Sequence, residues 1–440
     1  MLYVNKKSNN ELSKLIDNTD LLNIYNIKKI SFESNSKSTL GYVHTNFNNL
    51  ARKLHTFLHL SLIWKNRDFT LNFKMKAYNM FGTRLQAKNY SSFMIYEKLR
   101  MNFPKRLVVK MFGNFFGVNI LNRLVLLTFR IKQLLEPGLL KDLDSLLVMH
   151  GGRISFEQDY VIWLSRSYCV KTISIQENWD NLSSKTMLYQ HPDFFATWGK
   201  QSTEHLKRIH NFQGTTYEIG SRRLNTFYDR RKTLLEQDKN LEVSLNKDDF
   251  TKIILLVGSG DGLHDFLIAQ ECLRLIDLHV KELRSEFSII YRPHPYSSNL
   301  EENIQRLKTL NGVSVDKPAL HERDNYRLNL ILNSSVVISL YSTMIIESCI
   351  LNKPCIIPSF IENNWTFKTS DFLDKAEHYL GVSSLDGVFN PESYEEFMGV
   401  LMRIDSNDYY PVNDASLIEW FCADVDSIKS LCDLIESSLV

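Results

Sequence analysis

The stretch SIIYRPHPYS, residues 288–297, ends a predicted buried strand and continues directly into Arg292-Pro293-His294-Pro295. Helical patterns precede it at residues 263–283 and follow it at 299–310. Strands that alternate with helices of about 10–15 residues are typical of βαβ units and a parallel sheet. The stretch therefore predicts an α/β fold. It also ends with an arginine followed by a histidine that lies between two stiff prolines, which suggests a functional strand end.

Two series of βαβ units are predicted, one over about residues 140–221 and one over about 251–360, joined by the polar stretch 233–249. We predict two Rossmann-like domains that face each other across a cleft, followed by a helical C-terminal tail. The predicted parts are an N-terminal domain at 1–235 with a basic helical segment at about 47–135, a C-terminal domain at 250–400, and helices at 401–440 that could pack back on the N-terminal domain.

The composition is that of a globular chain: 440 residues, 44% hydrophobic, 23% charged and a net charge of +2. The six cysteines contain no CxxC pair, and the Cys/His spacings do not suggest zinc, so we expect buried thiols in a reducing compartment. The N-terminus lacks the apolar core of a signal peptide. The most apolar stretch, residues 118–129, is shorter than the roughly 20 residues that span a bilayer. We expect a cytoplasmic protein.

The positive charge is concentrated in residues 51–133, which contain 16 Lys/Arg against Asp68 and Glu97. One interpretation is a set of ordinary amphipathic helices with basic outer faces. Another is a surface for anionic lipid or an anionic acceptor, which would place the protein at the inner face of the cytoplasmic membrane. Nucleic acid ranks last, because no recognition motif accompanies the charge.

Three polar clusters, at residues 258–262, 292–295 and 341–343, follow predicted strands of the second series. Parallel sheets bind ligands at such strand ends. A glycine-rich turn allows backbone N–H groups to approach a phosphate, Arg292 can grip it with two bonds, and His294 can donate to it. Glu347 could accept ribose hydroxyls. A structural interpretation stays open: glycines end many strands, and Ser342-Thr343 could be only a helix cap. The predicted donor-binding residues are Gly258, Ser259, Gly260, Asp261, His294, Pro295, Ser342, Thr343 and Glu347.

The first series contains QENWDNLSSK, residues 176–185, directly after a strand. A tryptophan beside two carboxylates is typical of a loop that binds sugar or carries a base, although Asp-Asn-Leu-Ser-Ser also forms ordinary turns and caps. The acceptor-side candidates are His150, Arg153, Trp179 and Asn181. Any of five residues could be the general base: His150, Glu157, Asp159, Glu177 and Asp180. The predicted catalytic residues are Glu177, Asp180, Arg292 and His294.

Five segments, in this order, resemble the GT-B class of glycosyltransferases, and more closely the bacterial surface-polysaccharide transferases of the polysialyltransferase-like, capsule Kdo-transferase-like and glycerophosphotransferase-like groups. They are WDNLSSK (179–185), PDFFATWGKQSTEHL (192–206), YEIGSRRLNTF (217–227), YRPHPY (291–296) and ISLYSTMIIESCILNKPCII (338–357). The resemblance implies that His294 contacts the donor phosphate and that Ser342 and Thr343 bind the donor nucleotide. The glycerophosphotransferases carry an aspartate where this chain has Leu340-Tyr341, which argues against a polyol-phosphate substrate.

The resemblance implies transfer of a sugar from a nucleotide-sugar donor to a growing cell-surface glycan or lipid-linked acceptor, as in capsule or lipopolysaccharide synthesis. No DxD pair stands at a predicted strand end, so we expect metal-independent transfer with no cofactor beyond the nucleotide-sugar. The alternatives are a nucleotide-sugar 2-epimerase, a polyol-phosphate transferase and, least favoured, a non-catalytic scaffold with the same fold. No nucleic-acid partner is expected.

Overall fold

The fold comes from a computed structural model of the chain. The described residues are 2–3, 29–30, 47–56, 58–59, 62, 115–135, 139–140, 143, 145–150, 155–185, 188–240, 251–258, 265–294, 300–316, 324–340, 342–359, 373, 377–408 and 415–439. They form two compact units: unit 1 contains the described residues up to Gly220 and from Val425 onward, and unit 2 contains those from Ser221 to Asp424.

Unit 1 has a six-stranded parallel sheet in the order β2-β1-β3-β4-β5-β6. Its strands are β1 (Leu2–Tyr3), β2 (Lys29–Ile30), β3 (Ser145–His150), β4 (Lys171–Gln176), β5 (Phe194–Thr197) and β6 (Thr215–Glu218). Its helices are α1 (47–56, continuing at 58–59), α2 (Phe115–Leu135), α3 (Phe156–Ser165), α4 (Lys200–His210) and α12 (Ser427–Leu439). A π-helical turn at Asn181–Lys185 follows β4.

Unit 2 has a second six-stranded parallel sheet in the order β12-β11-β10-β7-β8-β9. Its strands are β7 (Thr251–Val257), β8 (Glu286–Arg292), β9 (Val313–Val315), β10 (Val336–Ser339), β11 (Cys355–Ile356) and β12 (Val388–Phe389). Its helices are α5 (Arg222–Asn240), α6 (Asp265–Leu278), α7 (Leu300–Lys308), α8 (Asp324–Leu332), α9 (Met344–Ile350), α10 (Tyr394–Asp405) and α11 (Ala415–Phe421).

The strand order of unit 2 is that of a doubly wound nucleotide-binding sheet, because β7 lies at the centre and the order reverses between β7 and β10. All four residues of β10 and the last four of β7 are buried, as expected of parallel strands covered on both faces. The prediction of two Rossmann-like α/β domains is thereby confirmed.

The cores of the two units draw on different residues. The core of unit 2 contains aliphatic side chains of β7, β8 and β10 together with Phe397 and Leu401 of α10. In unit 1, α2 and α3 enclose a cluster around Phe129, Phe156 and Tyr160. Among the described helices, none is both long and apolar enough to cross a bilayer.

The unit boundaries lie at other positions than the sequence indicated. Unit 1 ends at Gly220 rather than at residue 235, because α5 packs against α8 and α9 of unit 2. Of the C-terminal helices, α10 belongs to the core of unit 2, whereas α12 packs on β3 and β4 of unit 1. Most of the basic segment falls outside the described residues.

Leu434 of α12 is 1% exposed and packs in the cluster that contains Ile173 and Ile175. Its substitution tests the packing of α12 on unit 1. Leu434→Ala is expected to lower the free energy of unfolding by about 2–5 kcal/mol, because it leaves a cavity. Asp433→Ala, at an exposed position of the same helix, should change it by no more than about 0.5 kcal/mol. Urea unfolding of the full chain measures both, and equal effects would contradict the docking of α12.

Candidate functional site

The candidate site lies at the carboxyl edge of the unit 2 sheet. Open parallel sheets bind ligands beyond the carboxyl ends of their strands, at the point where the strand order reverses. In unit 2 that point lies between β7 and β10. Gly258 directly follows β7, and Ser342-Thr343 lie between β10 and α9. The topology therefore places the glycine-rich cluster and the Ser342-Thr343 cluster at the reversal point. The cluster of Arg292 and His294 lies at the end of β8, which is the other neighbour of β7.

Gly258 fits tightly against the segment that ends β8. Its backbone N–H donates to the carbonyl oxygen of Arg292 at 2.8 Å. A Cβ atom at this position would lie 2.8 Å from the backbone nitrogen of His294, 2.9 Å from the Tyr291 hydroxyl and 3.0 Å from the Arg292 carbonyl oxygen. Any side chain would displace the 292–294 backbone. Gly258 is therefore required for the close approach of these two strand ends.

An ion pair fixes the side chain of Arg292 at the end of β8. Its side chain is 7% exposed, and Nη1 lies 3.1 Å from Oδ2 of Asp316. The other carboxylate oxygen of Asp316 accepts a hydrogen bond from the Tyr326 hydroxyl. Burial lowers the pKa of the Arg292 guanidinium, and the Asp316 carboxylate counteracts this effect. Asp316 thus fixes the direction of Arg292 and stabilises its charge.

Two further arginines, Arg223 of α5 and Arg327 of α8, converge on Glu347 of α9. Nε of Arg327 lies 2.9 Å from one carboxylate oxygen of Glu347, and Nη2 of Arg223 lies 3.5 Å from the other. Arg223 also donates to Oγ1 of Thr343 at 2.9 Å. The charges of Arg327 and Glu347 both act on Arg292, so the groups form one electrostatic cluster.

The cluster contains three guanidiniums and two carboxylates, those of Asp316 and Glu347, in a largely buried setting. Beside them, His294, Ser342 and Thr343 are each partly exposed. Ser342 Oγ accepts the N–H of Met344 at 3.2 Å, and a hydroxyl can also donate a hydrogen bond. Such an arrangement suits an anion such as a phosphate.

The structure gives Glu347 another role than the predicted one. Its side chain is only 1% exposed and lies between two arginines, so it cannot reach the hydroxyls of a ribose. It positions Arg223 and Arg327 instead. Sequence reasoning missed both arginines because they lie inside helices rather than at strand ends. Four of the predicted donor-site residues fall outside the described residues: Ser259, Gly260, Asp261 and Pro295.

In unit 1, two acceptor-side candidates belong to the core. Trp179 is 2% exposed, and its Nε1–H donates to Oε1 of Gln201 at 2.8 Å. Asn181 is fully buried at the start of the π-helical turn. The burial of both side chains does not support the predicted role in binding a sugar. The polar turn after β4 thus buries Trp179 and Asn181 in the core. The residue types of the turn did not indicate this burial.

Glu177 and Asp180, the carboxylates of the same turn, are half-buried and stay in contact with solvent at the carboxyl end of β4. His150 ends β3 and pairs in register with Gln176, and its side chain lies outside the described residues, as does Arg153. The structure therefore leaves Glu177 and Asp180 accessible at the strand end and removes Trp179 and Asn181 from it.

Glu157 and Asp159, the other base candidates, are occupied by partners. Glu157 pairs with Arg52 at 2.5 Å. Asp159 is buried, and its Oδ2 lies 2.7 Å from Nε2 of His55 and 2.9 Å from Nε2 of His59. Burial alone would raise the pKa of the Asp159 carboxyl, but hydrogen bonds from the two histidines outweigh it and hold the pKa well below its usual value. So weak a base, enclosed in the core, is unsuited to deprotonate a substrate.

No protein-family model matches the sequence, and no curated protein matches it significantly. Similar solved structures include the UDP-GlcNAc 2-epimerase of Methanocaldococcus jannaschii (12% identity, 70% of this chain, 80% of that chain, TM-score 0.41). A second similar structure is the UDP-GlcNAc 2-epimerase of Neisseria meningitidis (13% identity, 70% of this chain, 80% of that chain, TM-score 0.44). A third is the wall teichoic acid polymerase TagF (14% identity, 67% of this chain, 88% of that chain, TM-score 0.36). Similarities this distant assign no activity to the chain.

The Gly258 contact predicts opposite effects for two glycine substitutions. Gly258→Ala is expected to destabilise the protein by about 1–3 kcal/mol, since its Cβ would meet backbone atoms. Gly399→Ala, inside α10 with nothing within 4 Å of the added Cβ, should stabilise it by up to about 1 kcal/mol because alanine favours helix. Urea unfolding distinguishes the two. A Gly258→Ala variant as stable as the parent would show that the close approach is not required.

Proposed function

We propose that this chain is a GT-B-type glycosyltransferase that binds a nucleotide-sugar donor at the carboxyl edge of the unit 2 sheet. One observation carries the proposal: the guanidiniums of Arg223, Arg292 and Arg327, held by two carboxylates, lie beside the partly exposed His294 and Thr343 at the point where the strand order reverses. A doubly wound sheet binds nucleotides at this point, and guanidiniums are well suited to bind the phosphates of the donor.

The proposed reaction breaks the bond between the anomeric carbon of the sugar and the donor phosphate oxygen, and forms a bond from that carbon to an acceptor hydroxyl oxygen. The hydroxyl proton passes to a general base, and the partly exposed Glu177 and Asp180 remain the candidates for it. The departing phosphate gains negative charge, and Arg292 and His294 stabilise it electrostatically. Because fixed cations perform this task, transfer is expected without a metal ion at the donor phosphate.

Nucleotide binding tests the proposal directly. We expect one of CMP, CDP, UDP, GDP and dTDP to raise the melting temperature of the wild type, since a ligand at 100 times its Kd adds about 2.7 kcal/mol. His294→Ala should reduce the shift strongly, because it removes a donor to the phosphate. His279→Ala, which changes a histidine beside Glu282 elsewhere in unit 2, should keep the wild-type shift.

The pattern across nucleotides also identifies the donor class. A response to CMP alone would indicate a sialic-acid-like or Kdo-like sugar, and a response to UDP, GDP or dTDP an ordinary hexose. Incubation of the corresponding nucleotide-sugar without acceptor separates the alternatives: an epimerase would convert it, whereas a transferase would leave it largely unchanged. If no nucleotide stabilises the wild type, the donor site is contradicted and the scaffold alternative is favoured.

We also propose that the acceptor is a membrane-linked surface glycan and that the enzyme approaches it through α2. One face of α2 packs in the core through Val125 and Phe129. The other face exposes Leu127 by 51% and Leu134 by 81%, and Arg130 is exposed beside them. Apolar side chains flanked by cations are typical of helices that lie on anionic lipid.

Vesicle binding tests this surface. The protein is expected to co-sediment with vesicles of anionic phospholipid at low salt and to be released at high salt, because part of the attraction is electrostatic. Leu127→Glu with Leu134→Glu should reduce binding at least tenfold. Leu278→Glu, at a position of α6 that is 64% exposed, is the matched control and should bind as the parent does. Failure of the parent to bind at low salt would contradict the proposal.

A further inference from the structure

Unit 1 contains a cluster of two histidines and one aspartate that the proposed reaction does not use. His55 and His59 lie four residues apart on α1, so their side chains project from the same face of the helix. Asp159 comes from the first turn of α3, about a hundred residues later. Nε2 of His55, Nε2 of His59 and Oδ2 of Asp159 all lie within 4.8 Å of one another. The fold thus directs three potential ligand atoms to one point.

The distances within this cluster are close to those of a metal site. Oδ2 of Asp159 lies 2.7 Å from Nε2 of His55 and 2.9 Å from Nε2 of His59, and the two nitrogens are 3.2 Å apart. In a tetrahedral zinc site with bonds of about 2.0–2.1 Å, two ligand atoms are about 3.3 Å apart. An ion could therefore be accommodated by small displacements of the three side chains.

Hydrogen bonding alone accounts poorly for the arrangement. If both histidines donate from Nε2 to Asp159, two N–H groups face each other at 3.2 Å, and neither can accept from the other. The Nδ1 atoms of His55 and His59 are buried and have no hydrogen-bond partner among the described residues. The ring nitrogens that the fold brings together are therefore the two Nε2 atoms, and their approach is explained by a shared cation more readily than by two donors facing each other.

The surroundings hold the cluster in place and close it. The second oxygen of Asp159, Oδ1, accepts the backbone N–H of Gln190 at 3.0 Å, which leaves Oδ2 aimed at the histidines. The rings of Phe156 and Tyr189 lie 5.6 Å and 5.9 Å from that of His55, both edge-on. Apolar walls of this kind exclude a substrate but not a small ion. Fixed orientation of ligating groups is what partners outside the ligand set provide.

We propose that His55, His59 and Asp159 bind one divalent transition-metal ion of the zinc type, with water completing the coordination. Two imidazoles and a carboxylate are the ligands that Zn²⁺ and its neighbours prefer, whereas Mg²⁺ and Ca²⁺ prefer oxygen alone. Because the ligands come from α1 and α3, the ion joins these two helices. Its role is structural, because aromatic rings surround the site and keep a substrate out. The proposal is independent of the donor site in unit 2.

Metal content tests the proposal. The full chain is purified without a polyhistidine tag or chelator, loaded with Zn²⁺ or Co²⁺, dialysed and analysed by elemental mass spectrometry. We expect one equivalent of metal per chain in the wild type, and affinity at least tenfold weaker in His59→Gln. His279→Gln, which removes a histidine of unit 2 outside the cluster, should bind as the wild type does. Retention of metal by His59→Gln, or none in the wild type, would overturn the proposal.

The cobalt spectrum of the wild type decides the question even if His59→Gln does not fold. Intense visible ligand-field bands without a thiolate charge-transfer band would indicate tetrahedral cobalt bound by nitrogen and oxygen. A thiolate band would assign the ion to cysteines, of which the chain has six, and would overturn the proposal. The melting temperature of the wild type should fall in a chelator and recover with Zn²⁺, and no change would count against a structural ion.

Discussion

The backbone contact between Gly258 and residues 292–294 is the constraint on which the candidate site depends. Neighbouring parallel strands β7 and β8 continue as a pair past the sheet only because Gly258 has no side chain and can donate to the Arg292 carbonyl at 2.8 Å. This contact fixes the backbone from which Arg292 and His294 project.

The arginine cluster at this edge shows how a largely buried site can hold three cations. Asp316 and Glu347 each pair with guanidiniums, which offsets most of the cost of burying them. The same ion pairs fix the direction of the guanidiniums. Cations fixed in this way need little reorganisation to bind an anion, which is what the proposed donor site requires.

The two units use buried polar groups differently. In unit 2 they lie at the carboxyl edge of the sheet, next to partly exposed His294 and Ser342. In unit 1 the His55–His59–Asp159 cluster lies among aromatic rings of the core, and Trp179 is tied to Gln201 inside the same unit. Partly exposed carboxylates of unit 1 lie instead at the carboxyl end of β4, at Glu177 and Asp180. The general base that we propose is therefore sought among those two residues.

The sequence by itself determined the α/β class, the two series of strands and the strand ends that carry Gly258, Arg292 and Ser342, because apolar strands, glycine turns and flanking polar residues are local signals. It indicated none of the contacts made across the fold. Arg223 and Arg327 join the site from helices, Glu347 is taken up by them, Trp179 turns inward, and His55 and His59 meet Asp159 across about a hundred residues. The H-x3-H spacing on α1 was visible, but a pair of histidines becomes a site only when packing supplies its third ligand. Such encounters depend on how helices pack on the sheet, which only the tertiary structure decides.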